Sequence, residues 1–257
     1  MKLSVVIPAR NEEGCIADTL MRLCGTLSQN GVPHEILVVD DGSTDDTLCC
    51  VERVMRSVAS VRLVSNQGRN GFGIAVRLGI ECTTGDAVAI MMADGSDSPE
   101  DMLRYYHELQ NGYECVFGSR FIHGSRVIDY PLHKLTLNRL ANWFIMILFG
   151  LRCNDIMNAF KCYRRDVLNA MHPLISPHFN LTVEMPLKAI IRGFSYTVVP
   201  ISWTNRKTGI SKLKIAEMGS RYLFIVLYLW LEKYLSRGDY HRRSALQPRP
   251  AEVSKRT

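Results

Sequence analysis

AVAIMMADGSDSPED, residues 87–101, decides how the rest of the chain is read. Ala87 to Met92 is a short apolar run with the length and composition of a strand buried on both faces. It ends in Asp94-Gly95-Ser96-Asp97, which puts two carboxylates and a hydroxyl where the strand leaves its sheet. Ser98-Pro99-Glu100-Asp101 then predicts a helix start, with Ser98 as N-cap, Pro99 in the first turn and Asp101 closing a capping box. Open α/β sheets bind ligands outside the carboxyl ends of their strands. Paired Asp oxygens at such a place suit a hard divalent cation that also holds substrate phosphates. On the stretch alone, Asp94 and Asp97 read equally well as turn-forming and helix-capping acids.

The segments on either side repeat the pattern. Leu3 to Ile7 predicts a first strand stopped by Pro8, and Asn11-Glu12-Glu13 opens a helix with Ile16, Leu20, Leu23 and Leu27 at helical spacing. Glu35 to Val39 is a second strand, running into Asp40-Asp41-Gly42-Ser43-Thr44-Asp45; Val61 to Val64 is a third. Asn66 to Gly73 (NQGRNGFG) is a glycine-rich loop feeding a helix from about Ile74 to Cys82. It matches neither a Walker loop nor the dinucleotide fingerprint. It reads either as backbone free to approach a diphosphate or as a tight turn. Strand, loop and helix alternate throughout, which predicts a Rossmann-like, mostly parallel sheet with crossover helices.

Beyond the central acids, a helix over Ser98–Gln110 leads to a strand around Cys115–Phe117 and then to Gly118-Ser119-Arg120. Arg120 reads as a phosphate clamp or as a surface ion-pair partner. From about 131 to 151, polar residues alternate with Leu132, Leu135 and Leu140 before the run Trp143–Phe149, an amphipathic helix too short to span a bilayer. Such a helix lies at a membrane interface or packs on the sheet. Asn158 to Arg165 (NAFKCYRR) begins a further helix, and Asn180 to Arg192 another. Glu184 lies in the apolar run of that last helix, where an acid is either paired or functional. Tyr196 to Ile201 is an edge-type strand because of Pro200. Asn205 to Lys214 is a cationic loop, read as phosphate-seeking or merely solvated. Residues 215–235 carry the apolar run Tyr222–Leu231, a membrane- or partner-contacting helix; residues 236–257 read as a basic disordered tail.

At 257 residues, 47% hydrophobic and 22% charged, the chain suffices for one sizeable α/β domain, taken here as residues 1–214. The first residues predict no secretory signal, and eight scattered cysteines without zinc spacing predict reduced thiols and a cytoplasmic location. A net charge of +6 fits nucleotide phosphates or an acidic membrane surface and calls for no nucleic acid.

Taken in order, VVIPARNEE at Val5–Glu13, VVDDGSTDDT at Val38–Thr47, the glycine loop, MADGSDSPED at Met92–Asp101 and GSRF at Gly118–Phe121 resemble glycosyltransferase family 2. NAFKCYRR, EMPLKA and NRKTGISKLK resemble its dolichyl-phosphate mannose synthase branch. The resemblance implies a GT-A fold and inverting transfer of a hexose from a nucleotide sugar to a polyprenyl phosphate. GDP-mannose is the first donor it suggests and UDP-glucose the second. It implies that Pro8, Arg10 and Glu12 form the first nucleotide-binding loop and that Val39 and Asp41 hold base and ribose. Ala93, Asp94 and Ser96 match the metal and diphosphate motif. Arg120, Arg206 and Lys212 match cationic contacts to phosphates, and Lys134 falls near an acceptor-phosphate position. The family's Asp-x-Asp motif is altered here, with Met92 in its first position; either Asp97 replaces the missing charge, or metal dependence is weaker and Arg206 and Lys212 carry more of the leaving-group charge. Mg²⁺ or Mn²⁺ on Asp94, Ser96 and Asp97 is expected, with Asp94, Asp97 and Arg120 carrying the chemistry. The cationic loop, hinged at Gly209, would close over the departing diphosphate.

The location this implies is peripheral, on the inner face of a membrane, with a membrane-anchoring subunit or a second copy as a further partner. The alternatives are a same-fold transferase with a soluble or protein acceptor, and a non-catalytic nucleotide-sugar-binding subunit.

Overall fold

The computed structural model describes residues 1–205 and 215–242. Its first half alternates strictly: β1 Leu3–Ala9, α1 Ile16–Gln29, β2 His34–Asp40, α2 Thr47–Met55, β3 Val61–Ser65, α3 Phe72–Cys82, β4 Ala87–Ile90 and α4 Pro99–Gln110. There follow β5 Cys115–Ser119, β6 Arg126–Ile128, α5 Leu132–Phe149, β7 Lys161–Arg164, α6 Arg165–Ala170 and α7 Leu181–Ile191. β8 Tyr196–Pro200, β9 Ser202–Thr204 and α8 Ile215–Leu235 complete the order. Seven strands form one sheet in the order β3-β2-β1-β4-β7-β5-β8, parallel except for β7, while β6 and β9 pair as a separate parallel ribbon. This is the mostly parallel, helix-flanked architecture the alternation predicts.

Two apolar cores lie on the two sheet faces. One joins α1, α2 and α4 to the sheet through Ile16, Leu20, Leu23, Leu27, Val51 and Met102. The other joins α3, α5, α7 and α8 through residues such as Val76, Ile145, Leu187 and Ile225. The α8 helix therefore packs into the main core through one stripe, Ile225, Val226 and Leu229. Its other side exposes Leu223, Phe224, Leu227 and Leu231, and α5 likewise exposes Leu137, Leu140, Trp143, Phe144 and Ile147. Among the described residues no helix is long and apolar enough to cross a membrane.

Several local expectations change. Residues 158–164 are not helical; they enter β7, the antiparallel strand wedged between β4 and β5, and the helix expected from Asn158 starts only at Arg165. Phe160 and Cys162 face one core and Tyr163 the other, and Lys161 is buried with its ammonium donating to the carbonyls of Ile156 (2.9 Å) and Thr182 (3.2 Å). Basic residues in a strand of period two resembled a polar helix face. β1 runs through Pro8 to Ala9. Val6 turns its carbonyl to the β4 side, so Pro8, two residues on, lacks its N–H on that same side, beyond the last β4 pair.

α1 begins only at Ile16. Asp101 closes no capping box; its Oδ2 accepts the Ser202 N–H at 2.6 Å and its Oδ1 pairs with Arg104 at 3.2 Å, because β9 passes beside the helix start. Residues 236–242, the described part of the expected tail, pack on the domain: Arg242 pairs with Glu114 and donates its N–H to the Arg192 carbonyl. All eight cysteines are free. Residues 243–257, and the cationic loop with Arg206, Gly209 and Lys212, lie outside the described residues.

Candidate active site

The chain runs outward from β1 to β2 and β3, then returns to place β4 on the other side of β1. That makes the β1/β4 boundary the topological switch point of the sheet, where a crevice opens at the carboxyl ends. Arg10 and Glu12 follow β1, Asp41 follows β2, and Asp94 follows β4, so the fold gathers them on one sheet edge. Pro8 and Val39 are buried partners in the β1/β2 register. They supply backbone and apolar surface rather than polar groups.

The two acidic loops are knitted together. Asn11 accepts the Thr44 N–H at 2.7 Å and donates its own N–H to Ser43, Glu13 accepts the Asp46 N–H at 2.9 Å, and Thr47 Oγ1 accepts the Glu12 N–H at 2.8 Å. Asp40 serves as the turn former, accepting the N–H groups of Gly42 and Ser43. Asp41 instead reaches the glycine loop, accepting from the Gly71 N–H at 2.8 Å and Asn66 Nδ2 at 2.8 Å. That loop is glycine-rich for packing reasons: a Cβ on Gly71 or Gly73 would lie 2.3 Å or 2.2 Å from the carbonyl oxygens of Pro177 and Ser176.

A cleft of 770 Å³ lies over the β4 end, walled by the start of α1, by residues 94–98 and by the β6/β9 ribbon. Thr19 Oγ1 donates to the Ala93 carbonyl at 3.0 Å and fastens the α1 wall to the β4 end. Asp94, half-buried, accepts the Ser96 N–H at 3.1 Å. Asp97 is 3% exposed and accepts a single backbone N–H, that of Met92, at 3.1 Å. Burial, and then the neighbouring Asp94 charge, push the Asp97 carboxyl up to about 7. Two carboxylates that repel in a confined, oxygen-rich site fit a hard divalent cation. Among the described residues no third His, Cys, Asp or Glu joins them, so Ser96, water and ligand oxygens would complete the shell.

Arg120 does not line this cleft, although its charge acts on Asp97. Its guanidinium is buried in a bidentate pair with Asp155, Nε to Oδ2 at 2.8 Å and Nη2 to Oδ1 at 2.7 Å, and its N–H also reaches Oδ2 at 3.0 Å. Burial alone would lower its pKa, but the Asp155 bond and charge outweigh that and raise it. The rings of Phe121, Tyr130 and Trp203 surround it with centroids 5.3 to 5.7 Å away. Arg139 covers Phe121 at 4.6 Å, whereas Lys134 lies exposed one turn earlier on α5. Arg120 is thus tied into an aromatic-lined ion pair. Asp155 and Arg139 were not picked out by the sequence reading. Asp155 sits 35 residues from its partner in an irregular stretch with no motif of its own.

Sheet order, acidic strand ends and an oxygen-rich cleft at the switch point define a Rossmann-like α/β fold of GT-A type with a candidate ligand site at its carboxyl ends. The model of "Glycosyl transferase family 2" matches residues 4–171, and the chain belongs to that family. Polyprenol monophosphomannose synthase of Mycolicibacterium smegmatis is 30% identical over 84% of this chain and 86% of its own. Undecaprenyl-phosphate mannosyltransferase of Micrococcus luteus is 29% identical over 83% and 88%. Among solved structures, glucosyl-3-phosphoglycerate synthase from Mycobacterium tuberculosis, in complex with Mn²⁺, UDP and phosphoglyceric acid, superposes with a TM-score of 0.66. It is 21% identical, over 90% of this chain and 78% of that one, a likeness of fold.

Proposed function

We propose that this chain transfers a hexose, with inversion, from a nucleotide diphosphate sugar to a polyprenyl phosphate at a membrane surface. The observation that carries the reading is Asp94 and its cleft at the β1/β4 switch point, in a chain whose relatives are named as polyprenyl-phosphate mannosyltransferases. Those names favour mannose from GDP-mannose over glucose from UDP-glucose.

Arg10, Glu12, Val39 and Asp41 would hold the nucleoside across the β1 and β2 ends, with Ala93, Asp94 and Ser96 against the diphosphate. Mg²⁺ or Mn²⁺ held by Asp94, Ser96 and Asp97 would supply positive charge to the leaving diphosphate. Arg206 and Lys212 are proposed to add to that charge. The acceptor is a phosphate monoester, anionic at neutral pH, so no dedicated general base is required. Arg120, fixed by Asp155, and Lys134 of α5 are the groups assigned to orient its phosphate. What the protein then contributes is alignment of that oxygen with the anomeric carbon, and a stabilised leaving group.

The apolar faces of α5 and α8, with Trp143 63% and Phe224 62% exposed, support peripheral docking on the inner face of a membrane. The test is incubation of the purified chain with Mg²⁺, a short-chain polyprenyl phosphate and either labelled GDP-mannose or labelled UDP-glucose. Label entering the organic phase from one donor establishes the reaction and names the sugar. Tight donor binding with no lipid product from either donor refutes the acceptor assignment.

A further inference from the structure

A second cavity, of 330 Å³, shares no residue with the Asp94 cleft. Its wall is formed by Arg69 of the glycine loop, the 175–178 turn, Asn180 at the start of α7, and Arg221 and Phe224 of α8. Arg69, Arg221 and His178 converge there, and no acid lines it among the described residues. Two of the wall residues, Ser176 and Asn180, are only 1% and 3% exposed, and their Oγ and Oδ1 atoms are buried with no hydrogen-bond partner. Buried polar atoms are costly when unpaired, so two in the wall of one cavity point to a ligand that pairs them. The Ser176 hydroxyl can donate, and a half turn of the Asn180 amide presents Nδ2 in place of Oδ1. The α7 amino terminus adds its own partial positive charge.

The wall is built rather than incidental. The buried Glu184, singled out in the sequence as paired or functional, accepts the N–H groups of Ile175 (2.8 Å) and Ser176 (2.7 Å) and is itself paired with Lys188 at 2.7 Å. From the other side Gly73 donates its N–H to the Pro177 carbonyl at 3.1 Å. The turn that carries Ser176 is thereby clamped between a buried ion pair and the glycine loop.

We propose that this cavity is a second oxyanion site that takes a phosphate group, distinct from the nucleotide-sugar cleft. The phosphate has two possible sources, free in solution or in a lipid headgroup; Phe224 and the exposed apolar side of α8 adjoin the site. The site stands or falls independently of the transferase reading, because its test involves no sugar donor.

The full chain and the variants Arg221→Gln, Arg221→Lys and Ser176→Ala would be compared, after circular dichroism confirms folding. Binding would be read by calorimetric titration with inorganic phosphate, and by co-sedimentation with phosphatidylcholine vesicles with and without phosphatidylglycerol. Arg221→Gln is expected to weaken binding about tenfold and Ser176→Ala about threefold, the scale of one charged and one neutral hydrogen bond, with Arg221→Lys recovering part of the loss. Sensitivity to both variants in the phosphate titration identifies a free phosphate as ligand; the same sensitivity confined to phosphatidylglycerol vesicles identifies a headgroup. Loss in Arg221→Gln without loss in Ser176→Ala overturns the proposal, since a neutral buried hydroxyl contributes nothing to general surface attraction. Indifference to both variants overturns it equally.

Discussion

Glu35 and Asp97 are buried carboxylates at opposite ends of one sheet, and they are treated in opposite ways. Glu35, at the amino end of β2, accepts the Thr84 N–H at 2.6 Å and the hydroxyls of Ser4 and Thr84, with Lys2 at 3.4 Å and Arg62 at 3.1 Å. Burial raises its pKa, but the Thr84 and Ser4 bonds and the Lys2 charge outweigh it and bring the carboxyl down to about 2. Asp97, past the carboxyl end of β4, has one N–H and a second acid beside it, and is pushed up to about 7. The amino edge is saturated with partners and serves stability. The carboxyl edge sets a second acid beside Asp97 and opposes it only with one N–H and the Arg120 charge, a setting suited to a cation-assisted site.

Removing charge from the carboxyl edge gives the largest expected effect on activity. Asp94 is half-buried and outside both apolar cores, so Asp94→Ala should leave the melting temperature within a few degrees of the parent. Lipid-linked product formation should fall by about 10³-fold, the scale of losing a principal electrostatic contact to the leaving group. Retention of more than a tenth of the activity would remove Asp94 from the site.

Asp155→Ala attacks a buried pair on the same edge. It strands the Arg120 guanidinium, 9% exposed, without its bidentate partner. A loss of about 3–5 kcal/mol in urea unfolding is expected, since an uncompensated buried charge costs far more than the intact pair contributes. A loss under about 1 kcal/mol would show that the three rings around Arg120 hold it unaided.

These two sites also mark how far sequence alone reached. The strand, the acids and the helix start around Asp94 are contiguous, so local pattern located the cleft, and the alternation of apolar runs gave the sheet through β5. What lay hidden was whatever depends on distant partners. Asp155 has meaning only once Arg120 is beside it, and Asp101 left its capping box for a strand 101 residues away. β7 was hidden because Lys161 is solvated by carbonyls of 156 and 182 rather than by water. The second cavity was equally invisible, since its wall gathers the glycine loop, α7 and α8.

Glu35→Gln breaks the saturated edge. Because the folded pKa lies below the ordinary glutamate value of 4.5, the Glu35 contribution is fully present above that pH and disappears as pH falls toward 2. The variant should therefore be less stable by about 2–3 kcal/mol at pH 7 and indistinguishable from the parent near pH 2. Equal stabilities at pH 7 would mean that the hydroxyl and N–H bonds serve a neutral amide as well as a carboxylate.

Asp97→Asn gives the smallest effect and the sharpest contrast, because its sign is reversed. The folded pKa of Asp97 lies above the ordinary aspartate value of 3.8, so between about pH 4 and pH 7 the native state holds a proton that the unfolded chain has released. Stability then falls as pH rises through that window, and the cost is complete above pH 7. An uncharged Asn accepts the Met92 N–H equally well and repels no neighbour. The variant should be more stable than the parent by about 2 kcal/mol at pH 8 and equal to it near pH 4. Mn²⁺ offers the parent the same relief by another route, so it should raise the melting temperature of the parent at pH 8 and raise that of Asp97→Asn less. A variant no more stable than its parent at pH 8 would show that Asp97 is compensated after all, and would make the two ends of the sheet alike.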